Sequence, residues 1–261
     1  MIKKVGIILI LGILFYGFFV EPSKIRVTKY RIENKALRGV RVVFFSDLHV
    51  RPGDYTKLKN VVKLVNEQDP DVVLVGGGYL NGTSASSGMP MAKIAERLSL
   101  INMRRNFYSV LGENDTRDGL NNAVNALRAL NINVIQNSNR KIVAKGRILY
   151  VAGLEDAISG KPDIQKALKN AKAPIIMLSH SPDIFPHIPQ GVTLTLAGHT
   201  HGGQFNIPPF GRIIKRTNNE NYVYGMVQDG GKRMIVTSGV GTGSIPARLN
   251  CPPEIVVVDF M

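Results

Sequence analysis

Five short apolar runs, each too brief for a helix, set the frame for this chain: residues 40–46, 71–75, 107–111, 175–178 and 194–197. Runs of this length without polar alternation predict strands buried within a sheet. Helical spacing separates the first three. Leu58, Val61, Val62 and Val65 make one face; Met91, Ile94, Ala95, Leu98 and Ile101 make a second. Leu120, Ala123, Val124, Leu127 and Leu130 follow the third run. Alternation of this kind predicts an α/β fold. After Ile135 the pattern turns strand-rich, with runs at 141–144, 148–152, 222–226, 234–237 and 255–260, and a helix near 164–171. Residues 25–33 make a weaker strand, so two sheets are expected. Ligands of such folds bind at the carboxyl ends of the strands. In this chain those ends carry Asp47-Leu48-His49, Gly112-Glu113-Asn114-Asp115, His180 and His199.

The histidines sharpen this reading. Of five, His49, His180, His199 and His201 follow predicted buried strands, while His187 lies in a proline-bounded loop and is read as solvated surface. Side chains on an extended chain alternate, so Asp47 with His49, and His199 with His201, present paired donors to one side. One cysteine excludes both an intramolecular disulfide and a cysteine-rich zinc site. Oxygen and imidazole donors without thiolate suit Mn²⁺, Fe or Zn²⁺. Two such ions ~3.5–4 Å apart clamp a phosphoryl group and activate water for in-line attack.

Charge and the amino terminus bear on partners. With 33 Lys+Arg against 19 Asp+Glu the net charge is +14, which attracts anions. No zinc-finger, homeodomain or RNP-type motif accompanies it, so no nucleic acid is expected; lipid headgroups or a phosphorylated substrate are. Lys3 and Lys4 precede an uncharged run, residues 5–20, that Glu21-Pro22 ends. The run lacks a small-residue cleavage pattern and predicts an uncleaved anchor to the cell membrane over residues 1–24, followed by one domain over 25–261. The basic residues flanking it, Lys3 and Lys4 against Lys24, Arg26, Lys29 and Arg31, lean toward a domain on the cytoplasmic face. Residues 76–88 are expected to form a mobile loop, Gly239 to Gly243 a turn closing the site's edge, and Cys251 a packing residue.

Four blocks, Ser46-Asp47-Leu48-His49, Gly112-Glu113-Asn114-Asp115, His180-Ser181-Pro182-Asp183 and Gly198-His199-Thr200-His201-Gly202-Gly203-Gln204, resemble in order and spacing those of the calcineurin-like metallophosphoesterases. The tail Leu249-Asn250-Cys251-Pro252-Pro253-Glu254 is similar to that of the family's membrane-anchored bacterial branch, which includes phosphodiesterases and a UDP-diacylglucosamine pyrophosphatase of lipid A synthesis. The resemblance covers residues 25–261. It implies a four-layer α/β/β/α sandwich of two mixed sheets, a first metal on Asp47, His49 and His201, and a second on His180 and His199. Metal-activated water would hydrolyse a phosphodiester or pyrophosphate, with a membrane-associated or lipid-linked substrate favoured by the anchor and the basic charge. Arg248, beside the tail block, is expected to touch substrate phosphate, since its fork suits bidentate recognition.

Two blocks depart from the family pattern. Gly78 stands where the bridging aspartate belongs, and Glu113 and Asn114 replace an Asn-His pair. A carboxylate at Glu113 returns one negative charge to the second metal. Asn114, at the catalytic position, donates a hydrogen bond but is no acid, and general acid catalysis is typically worth ~10²–10⁴ in rate. An activated leaving group would suffer least. The residues leave three readings open: a hydrolase with a reshaped metal site, a pseudoenzyme that binds metal or phosphate with little turnover, and a membrane-anchored scaffold. Ligand count favours the hydrolase.

Overall fold

The computed structural model describes residues 2–82, 88–103, 105–116 and 119–261. Its first sheet orders six strands as β1 (Arg26–Ile32), β14 (Glu254–Phe260), β2 (Arg41–Phe45), β3 (Val72–Val75), β4 (Phe107–Ser109) and β5 (Asn133–Val134). The second orders β12 (Gly225–Asp229), β13 (Lys232–Val236), β9 (Leu194–Ala197), β8 (Ile175–Ser179), β7 (Arg147–Gly153) and β6 (Ser138–Ala144). Both are mixed: β14 runs antiparallel to β2 but parallel to β1, and β13 runs parallel to β9 but antiparallel to β12. A small hairpin, β10 (Asn206–Ile207) with β11 (Gly211–Arg212), stands apart.

Strand periodicity sorts the apolar side chains into three cores. Val43, Phe45, Val73 and Val75 point to one side of the first sheet, against Leu58, Val61 and Val65 of α2 (Tyr55–Asn66) and Ile94 and Leu98 of α3 (Met91–Leu98). Val42, Phe44, Val72 and Leu74 point to the other side and meet Val151, Ile176, Leu178 and Leu196 of the second sheet. Met177, Ala197 and Val236 then face Ala167 and Phe185 on the far surface. The result is the expected α/β/β/α sandwich. A one-residue slip of β2 would exchange its two faces between two different cores, so register is strongly set.

Three expectations are corrected. The strand expected at 222–226 starts only at Gly225, because Asn219 caps a turn over Glu220–Tyr222 and Tyr222 packs edge-on to Phe185. Strand β5 and the β10–β11 hairpin were not anticipated; two-residue strands are too short to show a period. Residues 76–80 are buried rather than mobile: the Asp115 carboxylate accepts N–H bonds from Gly78, Tyr79, Leu80 and Gly112 at 2.8–3.0 Å. Residues 83–87 of that stretch lie outside the described residues.

At the amino terminus, α1 (Ile2–Phe15) continues through a wider π-helical turn over Tyr16–Val20 and a tight 3-10 turn over Glu21–Ser23. The 20-residue stretch Lys4–Ser23 is long and apolar enough to cross a membrane, by length and composition. Its last turns are joined to the domain. The Arg248 N–H donates to the Gly17 carbonyl at 2.9 Å, and a Cβ on Gly17 would sit 3.1 Å from the Arg248 carbonyl oxygen. Glu21, charged yet buried, accepts the N–H groups of Cys251 and Asn250 at 2.6 and 3.0 Å. The expected boundary at residue 24 therefore falls at a packed joint.

Candidate metal centre

The two sheets deliver their carboxyl-terminal loops to one place. Asp47 and His49 follow β2, Glu113 follows β4, His180 follows β8, and His199 and His201 follow β9. Four of these six, Asp47, His49, His199 and His201, have φ between +38° and +70°. Non-glycine residues adopt that conformation at a cost and cluster at functional sites. The loops are locked from behind. The Gly241 and Val240 N–H groups donate to the Asp47 and Ser46 carbonyls, so the turn at Gly239 to Gly243 closes this edge as expected.

The donors form two groups, Asp47 with His49 and His201, and Glu113 with His180 and His199. In the first, the Nε2 atoms of His49 and His201 are 3.2 Å apart. In the second, Glu113 Oε2 lies 2.9 Å from His180 Nε2 and 3.5 Å from His199 Nδ1. Asp47 joins them: its Oδ1 is 3.9 Å from His49 Nε2 and also 3.9 Å from His180 Nε2. Its Oδ2 accepts the His199 N–H at 2.9 Å, which fixes the carboxylate and leaves Oδ1 facing both groups. The His180 Nδ1 sits 2.7 Å from the Gly76 carbonyl, an outer contact that turns Nε2 toward the cluster.

These residues fit a divalent cation. Asp47 Oδ1 and the Nδ1 atoms of His49 and His201 are buried without a hydrogen-bond partner among the described residues. A buried carboxylate oxygen left in that state is costly unless a cation meets it. Burial pushes the His49 imidazole down to about 4, over the opposing pull of Asp47, and burial likewise holds His201 well below its ordinary value. Both are thus neutral, the form that ligates. In the second group burial opposes charge, but Glu113, together with the Asp47 charge, raises His180 over that burial, and His180 and His199 hold Glu113 low over its own. Cys251 supplies no ligand; its Sγ lies 3.2 and 3.4 Å from the Gly202 and His201 carbonyls, as expected of a packing residue.

The altered blocks now have a physical reading. Gly78 has φ +72°, and a Cβ there would come within 2.9 Å of both Cα and Oδ1 of Asp47. The backbone occupies the space that a side chain at this position would need. Glu113 lies with His180 and His199 in the second group. Glu113→Ala is expected to lower bound metal from two ions per chain to one, measured by elemental analysis after reconstitution. An unchanged stoichiometry would remove Glu113 from the ligand set. Asn114 is half-buried in the turn directly after Glu113.

Arg248 does not stand where the sequence suggested. It is 0% exposed. Its guanidinium donates to the carbonyls of Ser238 (2.7 Å), Cys251 (2.9 Å) and Gly241 (3.0 Å), and lies 3.4 Å from that of His201. A fork filled by backbone carbonyls has no face left for a phosphate. Arg216 is the cation that sequence reading missed. It is half-buried, makes no hydrogen bond or ion pair among the described residues, and its charge acts on both His49 and His201. Its Nη2 would lie 3.0 Å from a Cβ on Gly243. It sits in a loop without periodicity, and only its spacing after Gln204 could have drawn notice. His187 is exposed, as expected.

Comparison with known proteins agrees with this geometry. The family model "Calcineurin-like phosphoesterase" matches residues 40–203. An uncharacterized metallophosphoesterase of Aquifex aeolicus is 31% identical over 91% of this chain and 92% of its own. The phosphodiesterase YaeI of Escherichia coli is 27% identical, covering 94% of this chain and 92% of its own. Among solved structures, the sulfate thiohydrolase SoxB of Thermus thermophilus superposes with TM-score 0.52 at 14% identity, over 78% of this chain and 52% of that one, so the present chain spans about half its length. With two sheets feeding six donors into one cluster, and with that sequence match running from β2 into the Gly198–Gln204 loop, the chain belongs to the calcineurin-like phosphoesterase family.

Proposed function

We propose that the chain is a metal-dependent hydrolase of phosphodiester or pyrophosphate bonds, acting on a membrane-associated or lipid-linked substrate. The observation that carries this reading is the position of Asp47 Oδ1, 3.9 Å from an imidazole of each donor group. One carboxylate oxygen thus faces both candidate cation positions, the place that Gly78 leaves without a ligand. Mn²⁺, Fe or Zn²⁺ suits imidazole and carboxylate donors, and when bound would supply Lewis-acid stabilisation of phosphoryl charge and a nucleophile at neutral pH.

The chain's own residues supply the rest. Arg216 holds a phosphoryl oxygen through charge and its N–H fork. The Asn114 amide donates to the same group without transferring a proton. Asn114, at the place of the usual histidine, is no acid, so leaving groups of low basicity are the preferred class, a phosphate released from a pyrophosphate among them. The name of the E. coli relative, a phosphodiesterase, supports the diester class. The N-terminal helix and the charge of +14 support a substrate in or on the cell membrane, and the basic residues Lys24, Arg26, Lys29 and Arg31 after the helix, against Lys3 and Lys4 before it, favour its cytoplasmic face for the domain.

Two measurements test this. Metal content and turnover of bis-p-nitrophenyl phosphate, with and without chelation, separate the readings. Metal with chelator-sensitive turnover is expected; metal without turnover would instead make the chain a binding protein of the same fold. Arg216→Ala is expected to lower kcat/KM about 10²-fold, a typical loss for one charged transition-state contact. Lys215→Ala, next in sequence but exposed, is expected to leave it unchanged. Equal losses in both variants would refute the assignment to Arg216.

A further inference from the structure

The small hairpin presents an unusual surface. Its turn residue Phe210 is 77% exposed, and Ile207 and Ile213 on either side are 38% and 50% exposed. Ile207 and Phe210 stand at the tip and Ile213 at its base, opposite Phe205, and exposed apolar side chains outside any core mark an interaction surface. The base of the hairpin is tied to the segment that receives the N-terminal helix. The Asn206 N–H donates to the Leu249 carbonyl at 2.8 Å, and the Asn250 side chain donates to the Asn206 carbonyl at 3.2 Å. Leu249 and Asn250 follow Arg248, whose N–H meets Gly17, and the Asn250 N–H meets Glu21. Phe18, Phe19 and Pro246 line one cavity of about 360 Å³ at this junction, with Arg51 and Lys57 in its wall. Ile245, also exposed, precedes Pro246. Exposed Ile245 and Pro246 thus stand near the end of the helix, and the hairpin is hydrogen-bonded to the same 249–250 segment that receives the helix end.

We infer that the β10–β11 hairpin is a second membrane contact, its Ile207–Phe210 tip and Ile213 entering the headgroup layer beside the N-terminal helix. The inference rests on the reading of that helix as a membrane anchor. The lipid surface is the occupant because the hairpin is hydrogen-bonded to the Leu249–Asn250 segment that also holds the end of the helix, and because the net charge of +14 draws anionic headgroups. The contact reaches the metal centre. The Arg212 guanidinium of the hairpin binds the Gly202 carbonyl and stacks over the Tyr224 ring at 4.4 Å, and Gly202 follows His201. A hairpin seated in the headgroups holds the His201 loop at a fixed height above the bilayer. Substrate phosphates at that height need not leave the membrane surface.

The chain has no tryptophan, so single tryptophans report on single places. The full chain is reconstituted in vesicles of phosphatidylcholine and phosphatidylglycerol, with and without brominated acyl chains. Three variants are compared: Phe210→Trp at the tip, Val143→Trp at the opposite edge of the second sheet, where Val143 is 58% exposed, and Ile10→Trp within the helix. Blue-shifted emission quenched by brominated lipid is expected for Phe210→Trp and Ile10→Trp, and neither change for Val143→Trp. Quenching in Ile10→Trp but not in Phe210→Trp overturns the hairpin contact and leaves the anchor standing. Quenching in Phe210→Trp alone overturns the anchor and, with it, the proposal of a second contact beside the helix. Emission from Phe210→Trp that is blue-shifted yet unquenched means that a second copy of the chain covers the tip, which also overturns the proposal. Ile213→Trp repeats the measurement from the other side of the turn, should Phe210→Trp misfold.

Discussion

Asp47→Asn is expected to strip both ions and to lower turnover of bis-p-nitrophenyl phosphate by at least ~10³-fold, equivalent to about 4 kcal/mol of transition-state stabilisation. The argument is geometric. The Asp47 side chain belongs to one donor group and lies 3.9 Å from an imidazole of the other. Asparagine keeps an oxygen for the His199 N–H, which Asp47 Oδ2 now accepts at 2.9 Å, so the loop is kept while the charge is lost. His201→Ala is the comparison, since it removes a ligand from the first group alone and should spare the second ion. If Asp47→Asn keeps one ion per chain as firmly as His201→Ala does, the shared role of Asp47 is wrong.

The second large effect is on stability. Arg248→Lys is expected to lower the thermal midpoint by on the order of 10 °C, from a loss of about 3–5 kcal/mol. Arg248 collects carbonyls from the 238–241 turn, from Cys251 and from the His201 loop, and no part of it reaches solvent. A lysine has one nitrogen with three protons and cannot serve a fork of this width. The orphaned carbonyls would stay buried, each with its own desolvation cost. The same turn sends N–H groups to the carbonyls of Ser46 and Asp47, so metal affinity should fall along with the midpoint. Scanning calorimetry of the two proteins decides the matter; a midpoint for Arg248→Lys within a degree or two of the parent would show that the carbonyls find other donors.

What the sequence disclosed and what it hid have separate causes. The strands were legible because residues such as Val42, Val43, Phe44 and Phe45 are buried on both faces, leaving no ambiguity of face. The candidate metal ligands were legible because they stand directly after those strands, Asp47 with His49 and His199 with His201 two apart; the expected extended-chain alternation does not hold there, since all four adopt left-handed φ. Glu113 could be matched to its place by the block around it. The misreading of Arg248 arose from burial: a motif neighbour says that a residue is close to a site, but not on which side of the loop it lies. Arg216 was hidden because a half-buried loop cation leaves no periodic trace. Glu21 looked like the stop signal of an apolar run, although its carboxylate caps two N–H groups more than two hundred residues away. The role of Asp115, pinning Gly78 to Leu80, likewise depends on a backbone path that no local pattern encodes.

The joint between Gly17, Glu21 and the 248–251 segment sets the range over which this domain can work. A catalytic head on a flexible tether sweeps a disc of membrane whose radius grows with tether length. Here the tether has no slack, because the final turn of the helix is already hydrogen-bonded to the loop behind the cluster. With the helix in a membrane, the head would turn with its stalk and sample only the lipids that drift past it. For a bilayer-borne substrate, encounter is then set by two-dimensional diffusion of that substrate, and the rate should track membrane fluidity and lateral density rather than the bulk amount added.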